Sequence, residues 1–327
     1  MAIRELTFMK ATLEALSEEM AVNPRIFVLG EGIGKRGGNF NTTSGLFDLH
    51  GPQRLCDTPI CERGFVGLAC GAAMTGTRPV VDFMFADFIM DSVGEIVNQI
   101  AKMQYMSSGR IKMPLLLRGC IGIGGAAATH HSGNYYAMYG QFPGLRVVVP
   151  SQPADAKGLL KTALNVDDPV LFLEHKSLLS VKGPVPEGEH RVPFGKAAVV
   201  RSGRDVTIVA LALMVHQAVR AAEELERDGI SVEIIDPRTI APLDIDTIIS
   251  SVRKTGRLLV VDEAFAPFGF AAEVAAQVGA VAFDDLDAPI QRLNGVHTPT
   301  PYSPPLEAAV TVNAKQIAAS VRQLLAE

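Results

Sequence analysis

Apolar residues along this chain follow two spacings. From Leu6 to about Ala21 they recur at helical intervals, with Leu6, Ala11, Leu13, Leu16 and Met20 on one face. That spacing predicts an amphipathic helix entered directly from Met1-Ala-Ile-Arg-Glu-Leu, with no signal peptide. Ile26–Gly30, Pro79–Met84, Leu145–Val149 and Val170–Leu173 are instead short, continuous apolar runs. Runs of this kind suit strands buried on both faces of a parallel sheet. Helical stretches fall between them, over Phe85 to about Met106 and Asp155–Leu164. Strands alternating with helices indicate an α/β fold.

The alternation stops between Lys176 and Phe194. Lys182-Gly-Pro-Val-Pro-Glu-Gly-Glu-His-Arg-Val-Pro193 is rich in Pro, Gly and charge and reads as a linker. A second α/β series follows. Its strands are expected near Val206–Leu211, Ser231–Ile235, Arg257–Val261 and Pro289–Leu293, with helices at Val215–Arg227, Ile245–Val252, Ala271–Phe283 and Ala314–Leu325. Thr298-Pro-Thr-Pro-Tyr-Ser-Pro-Pro305 is too proline-rich for a regular element. The expected division is a first domain over 1–181, a linker over 182–194 and a second domain over 195–327.

Composition narrows the classes. The 327 residues are 48% hydrophobic and only 20% charged, enough for two full cores and for subunit contacts besides. A net charge of −5 with no basic block argues against nucleic acid. No apolar run approaches the ~20 residues that span a bilayer. Cys56, Cys61, Cys70 and Cys120 form neither a metal motif nor a disulfide framework, so reduced thiols and a cytoplasmic location are expected.

Three stretches carry candidate chemistry. In Asp57-Thr-Pro-Ile-Cys-Glu-Arg-Gly-Phe-Val-Gly-Leu-Ala-Cys-Gly-Ala-Ala-Met-Thr-Gly76, Glu62 heads a helix built almost entirely of small and apolar residues. Either this acid sits in water at a helix N-terminus, favoured by the dipole, or desolvation keeps it protonated as a donor. Phe85 and Phe88 open the next helix, either to stack on a flat ring or to anchor the helix in the core. The loop Gly119–Asn134 leaves the C-terminal end of a strand, where α/β sheets place ligands. In it His130 and His131 are neighbours that, in an extended segment, point to opposite sides, so at most one faces a given site. That one acts as acid, base or hydrogen-bond donor, or else caps loop backbone. Asp262-Glu263 ends a strand, where acids cap the next helix or meet a partner, and nothing in the sequence assigns them catalysis.

Two dinucleotide-fingerprint lookalikes fail on context. Gly32-x-Gly34-x-x-Gly37 and Gly122-x-Gly124-x-x-Ala127 both follow strands, but both run into polar loops rather than helices. No Cys/His set has zinc-ligand spacing.

Taken in order, Val28-Leu-Gly-Glu, Asp57-Thr-Pro-Ile-x-Glu62, Gly71-Ala-Ala-Met-Thr-Gly-x-Arg-Pro-Val, Phe85-Ala-Asp-Phe, His131-Ser, Pro143-Gly-Leu-x-Val-Val-x-Pro-Ser and Pro301-Tyr-Ser-Pro-Pro-Leu-Glu resemble one family over essentially the whole chain. It is the beta subunit of the thiamine-diphosphate-dependent decarboxylating component of 2-oxo acid (pyruvate, branched-chain, acetoin) dehydrogenase complexes. The resemblance implies a transketolase-like pyrimidine-binding domain followed by a transketolase C-terminal domain. It implies that Glu62 hydrogen-bonds the aminopyrimidine of thiamine diphosphate, that Phe88 packs against that ring, and that Ile60 lies beside it. It implies that His131, not His130, assists acyl transfer to a lipoyl group. The Gly-Asp-Gly motif that holds Mg and the diphosphate in such enzymes is missing from this chain. The resemblance therefore implies an alpha subunit that brings them, in an alpha–beta heterotetramer attached to a lipoyl acyltransferase core. A potassium ion on the backbone carbonyls of Leu115, Ala163, Val166 and Asp168 is a further implication. Cys61 and the sequence Thr129-His-His-Ser-Gly-Asn-Tyr-Tyr depart from the usual pattern, which leaves the substrate open between 2-oxo acids and acetoin. They also leave an alternative open, a non-catalytic assembly subunit that docks the core. A nicotinamide-dependent dehydrogenase is the third reading, resting only on the glycine lookalikes.

Overall fold

The computed structural model describes residues 3–327. Met1 and Ala2, the first residues of the segment expected to lead into a helix, lie outside the described residues. The chain forms two compact units. One runs to Ile121 and resumes over Met138–Phe194; the other comprises Gly122–Ala137 and Gly195–Glu327.

The first unit is built on parallel strands in the order Arg146–Val148, Val170–His175, Leu116–Ile121, Arg78–Phe85, Ile26–Gly30 and Leu55–Asp57. Leu116–Ile121 and Val170–His175 are buried at every position, as strands covered on both faces must be. The helices Phe8–Val22 and Pro153–Asn165 pack together. Ala15, Leu16, Leu159 and Leu160 from this pair join Ile26, Val28, Val80 and Leu116 in one apolar core.

Three elements differ from the sequence reading. The chain opens as a strand, Ile3–Thr7, before the helix starts at Phe8 behind the capping hydroxyl of Thr7. That strand pairs antiparallel with Lys182–Pro186, the head of the stretch read as linker. Pro184 and Pro186 are compatible with a two-stranded ribbon because an edge strand needs only half its N–H groups. The long helix expected from Phe85 to Met106 is three short pieces: a tight turn at Ala86–Ser92, a wide turn at Glu95–Ile100 and one α-turn at Met103–Met106. Tight winding puts Ala86, Ile89 and Ser92, three residues apart, on one buried line, which an α-helix cannot do.

The second unit carries a five-stranded sheet in the order Gln291–Gly295, Leu258–Phe265, Val206–Ala210, Val232–Asp236 and Ala198–Arg201, the last strand antiparallel. Leu213–Glu226 and Ala314–Ala326 cover one face, with Ala218, Ala222, Ile317 and Val321 in its core. The proline-rich arm yields one helix, Pro304–Val310, with prolines in its first turn where no N–H is missed.

Candidate active site

In the first unit the candidates gather at one sheet edge. Ile26–Gly30, Leu55–Asp57 and Arg78–Phe85 are adjacent and parallel, with Gly30 in register with both Asp57 and Asp82. Their C-terminal ends therefore release Glu31, the Thr58–Glu62 segment and Phe85–Phe88 together. Gly30 has φ +155°, and a Cβ there would lie 2.2 Å from the Asp82 carbonyl oxygen. Backbone bonds fix the edge: Thr58 N donates to Gly30 O at 3.0 Å, and Gly34 N to Asp57 Oδ1 at 3.0 Å. Asp82, buried, accepts from Thr42 Oγ1 at 2.7 Å and from Met84 N at 2.9 Å. Met84 sits at φ +62°, so this carboxylate stabilises the kink that turns the chain into Phe85.

Glu62 begins the helix Glu62–Met74, which buries Phe65, Val66, Ala69, Cys70 and Ala73 along one face. The opposite face is bare: Cβ atoms built at Gly67 or Gly71 would meet nothing within 4 Å. The helix packs against the Ala86–Ser92 turn that carries Phe88. Phe88 stacks edge-on with Phe85 at 6.0 Å, and Phe85 with Phe40 at 5.2 Å, forming an aromatic wall at the edge. Ile60, by contrast, is 81% exposed.

Glu62 is only 8% exposed, yet its carboxyl makes no hydrogen bond or ion pair with another described residue. The charged group it acts on is Glu31. Burial, and then the Glu62 carboxyl, push the Glu31 carboxyl above its ordinary range. Sequence reasoning did not single out Glu31; its place directly after a strand-ending glycine was the available signal.

His131 belongs to the other unit. It closes a short turn, Thr129–His131, and is half-buried, whereas His130 is exposed. The two neighbours do differ in environment, but in a tight turn rather than the extended segment expected. The loop is tied to the adjacent acids Asp262 and Glu263 and to the arm at Thr300, whose carbonyl accepts from Thr129 Oγ1 at 2.9 Å. The sequence reading had given those acids no part in this loop.

Two of the four carbonyls expected to hold potassium accept hydrogen bonds within the chain. Leu115 O accepts from Val170 N at 2.9 Å. Val166 O accepts from the Arg78 guanidinium at 2.7 Å, so a cation already meets that acceptor. The Asp168 side chain is engaged by Arg146 and Gln104. Among the described residues no group of His, Cys, Asp and Glu could hold a metal ion.

Comparison with known proteins gives a consistent picture. Residues 4–182 match the transketolase pyrimidine binding domain, and residues 195–317 match the transketolase C-terminal domain. The chain is 44% identical to the acetoin:2,6-dichlorophenolindophenol oxidoreductase beta subunit of Cupriavidus necator, over 98% of both chains. It is 43% identical to the 2-oxoisovalerate dehydrogenase beta subunit of Bacillus subtilis, again over 98% of both. It is 45% identical to the pyruvate dehydrogenase E1 component beta subunit of Rickettsia bellii, over 93% of both. A solved split-gene transketolase, described as an inactive beta4 tetramer, superimposes with a TM-score of 0.79 at 25% identity, covering 98% of each chain.

Proposed function

Because this chain belongs to the beta subunits of the thiamine-diphosphate-dependent 2-oxo acid and acetoin dehydrogenases, we propose specific roles for its residues in that reaction. Glu62 holds a proton toward the aminopyrimidine of the cofactor, Phe88 packs against that ring, and Ile60 borders it. The observation that carries this reading is Glu62, a residue 8% exposed whose carboxyl has no hydrogen-bonding partner among the described residues, at the edge where three parallel strands end. A carboxyl so placed is free to take its partner from a ligand. The residues fit the group: an aromatic wall for a flat ring, and a carboxyl beside a second, partly desolvated one.

When bound, thiamine diphosphate supplies the carbon nucleophile and the electron sink for cleavage next to the carbonyl. Glu62 orients and protonates; the small residues around it let a planar group approach. His131 supplies or removes a proton when the acyl fragment passes to a lipoyl group. In that exchange one sulfur of the disulfide is acylated and the other leaves as a thiol. Substrate choice lies between 2-oxo acids and acetoin, since relatives with each name match equally well.

The diphosphate and Mg are assigned to an alpha subunit, because this chain has no Gly-Asp-Gly motif. The complex is an alpha–beta heterotetramer that delivers to a lipoyl acyltransferase core, and its place is the cytoplasm. No helix among the described residues is long and apolar enough to cross a membrane. As with the neighbour described as an inactive beta4 tetramer, the chain alone is expected to be inactive. Turnover is measured with the alpha subunit, with this chain, and with both. Activity only in the mixture supports the assignment; full activity of the alpha subunit alone overturns it and favours a non-catalytic assembly role. Calorimetry adds a check: tight, Mg-dependent binding of thiamine diphosphate by the isolated chain contradicts the division of the site.

A further inference from the structure

The segment Gly122–Ala137 carries His131 and contains two non-glycine residues at positive φ, Ala126 at 54° and Ala128 at 62°. Such backbone persists only where the surroundings over-determine it. The determinants lie on one short stretch of the strand Leu258–Phe265. Glu263, 4% exposed, accepts through the same oxygen, Oε2, from Ile123 N at 2.9 Å and from Asn134 Nδ2 at 3.0 Å. These donors sit on the two opposite stems of the loop. A single carboxylate thus bridges the stems, which also meet directly through Gly122 N donating to Gly133 O at 3.4 Å. Its other oxygen accepts from Thr311 Oγ1 at 3.2 Å, fixing the clamp to the arm that follows the last strand. One residue earlier, Asp262 Oδ1 accepts from Tyr136 OH at the end of the loop and from Ala264 N at 3.0 Å. Asp262 and Tyr136 are both fully buried or nearly so.

We infer that Glu263 is the positioning residue of the His131 loop, with Asp262 and Tyr136 anchoring its far end, so that these acids set where the imidazole stands when the acyl fragment is transferred. The inference rests on the reading of His131 given above. Both stems donate to the one oxygen, Oε2, so an amide oxygen at 263 could still accept both, uncharged and more weakly, with its NH2 turned to Thr311 Oγ1, whereas truncation of the side chain loses both bonds. Displacement of a reacting group by about 1 Å costs on the order of 100-fold in rate.

The test uses the holoenzyme with its alpha subunit and two acceptors. One is a lipoylated acyltransferase domain; the other is the dye 2,6-dichlorophenolindophenol, which needs no acyl transfer. For Glu263→Ala the ratio of lipoyl-linked to dye-linked turnover falls by about 100-fold, while Glu263→Gln, which keeps an oxygen for both donors, restores part of it. Amide exchange over residues 123–134 accelerates in parallel. Should Glu263→Ala fail to fold, Asn134→Ala opens one stem only and lowers the ratio by about 5–10-fold, as expected for one lost hydrogen bond to the carboxylate. A general structural role lowers both activities together and leaves the ratio intact; that result, or unaltered exchange in the loop, overturns the inference. Wild-type holoenzyme that reduces the dye but never acylates the lipoyl domain overturns the role of His131 instead. In that case the exchange data still decide whether Glu263 holds the loop.

Discussion

Glu174 and Glu62 lie in the same unit, are both buried acids, and have opposite surroundings. Glu174, 1% exposed, forms a two-pronged ion pair with Arg118, itself 1% exposed. Burial alone would pull the Arg118 guanidinium down, but Glu174 and then Asp82 raise it, so the guanidinium stays charged. Arg118 also donates to Thr12 Oγ1 at 2.9 Å. Every lobe of this network is filled from within the chain, which makes it architecture. Glu62 has none of this, and its electrostatic neighbour is another acid. A buried acid completed internally stabilises the fold; one left incomplete is poised for something from outside.

Breaking the internal pair gives the largest effect. Arg118→Ala strands the Glu174 carboxylate and is expected to cost about 3–5 kcal/mol in denaturant unfolding. Arg118→Met with Glu174→Leu recovers most of it, because a well-packed apolar pair avoids the desolvation of two charges. If the double variant is as unstable as the single one, Glu174 was not what made the single loss costly. Glu62→Gln acts on the other side of the comparison. Turnover of the alpha–beta enzyme is expected to fall about 10²–10⁴-fold, the usual share of a proton-transfer group, with thermal unfolding nearly unchanged. Near-normal turnover would remove Glu62 from the proposed role.

A third acid sharpens the contrast by pH. Asp262 is fully buried with neutral donors and no counter-ion; burial pushes its carboxyl up to about 6, opposed in part by the Tyr136 hydrogen bond. An acid whose value rises on folding binds more protons in the folded state between the unfolded value near 4 and about 6. Its stabilising contribution is therefore present at low pH and is lost as pH climbs through that window. Asp262→Asn cancels this slope, so the stability of the variant relative to wild type rises by up to about 3 kcal/mol from pH 4 to 7. Unfolding curves that shift in parallel at every pH would refute the assignment. The smallest effect is at the aromatic wall. Phe88→Ala is expected to raise the thiamine diphosphate concentration needed for half activity by about 3–10-fold, the worth of one ring contact.

Much of this was visible in the chain itself. Continuous apolar runs marked the buried strands, and the motif order from Val28 to Glu307 identified the family. What escaped depended on distance or on competing geometry. The strand Ile3–Thr7 takes its pairing from residues 182–186, so nothing local announces it. The Ala86–Ser92 turn reads as ordinary helix because Ala86 and Ile89, three apart, suit either winding, and the third buried position, Ser92, is polar and does not announce itself. Glu62 was legible as an oddity, an acid fronting a run of small residues, while its lack of internal partners needed the fold. Asp262 and Glu263 looked like strand-end acids; only the return of residues 122–137 to that strand reveals their work.

The bare side of the helix Glu62–Met74 has a practical consequence. Since a methyl group at Gly67 or Gly71 would meet no described atom beyond its own helix, alanine there should make the isolated protein slightly sturdier, by about 0.5–1 kcal/mol each. Any harm such a methyl does must be felt by a different molecule. These two glycines therefore serve as gauges: a methyl there helps the chain fold, and any loss it brings reports only on whatever comes to rest against them.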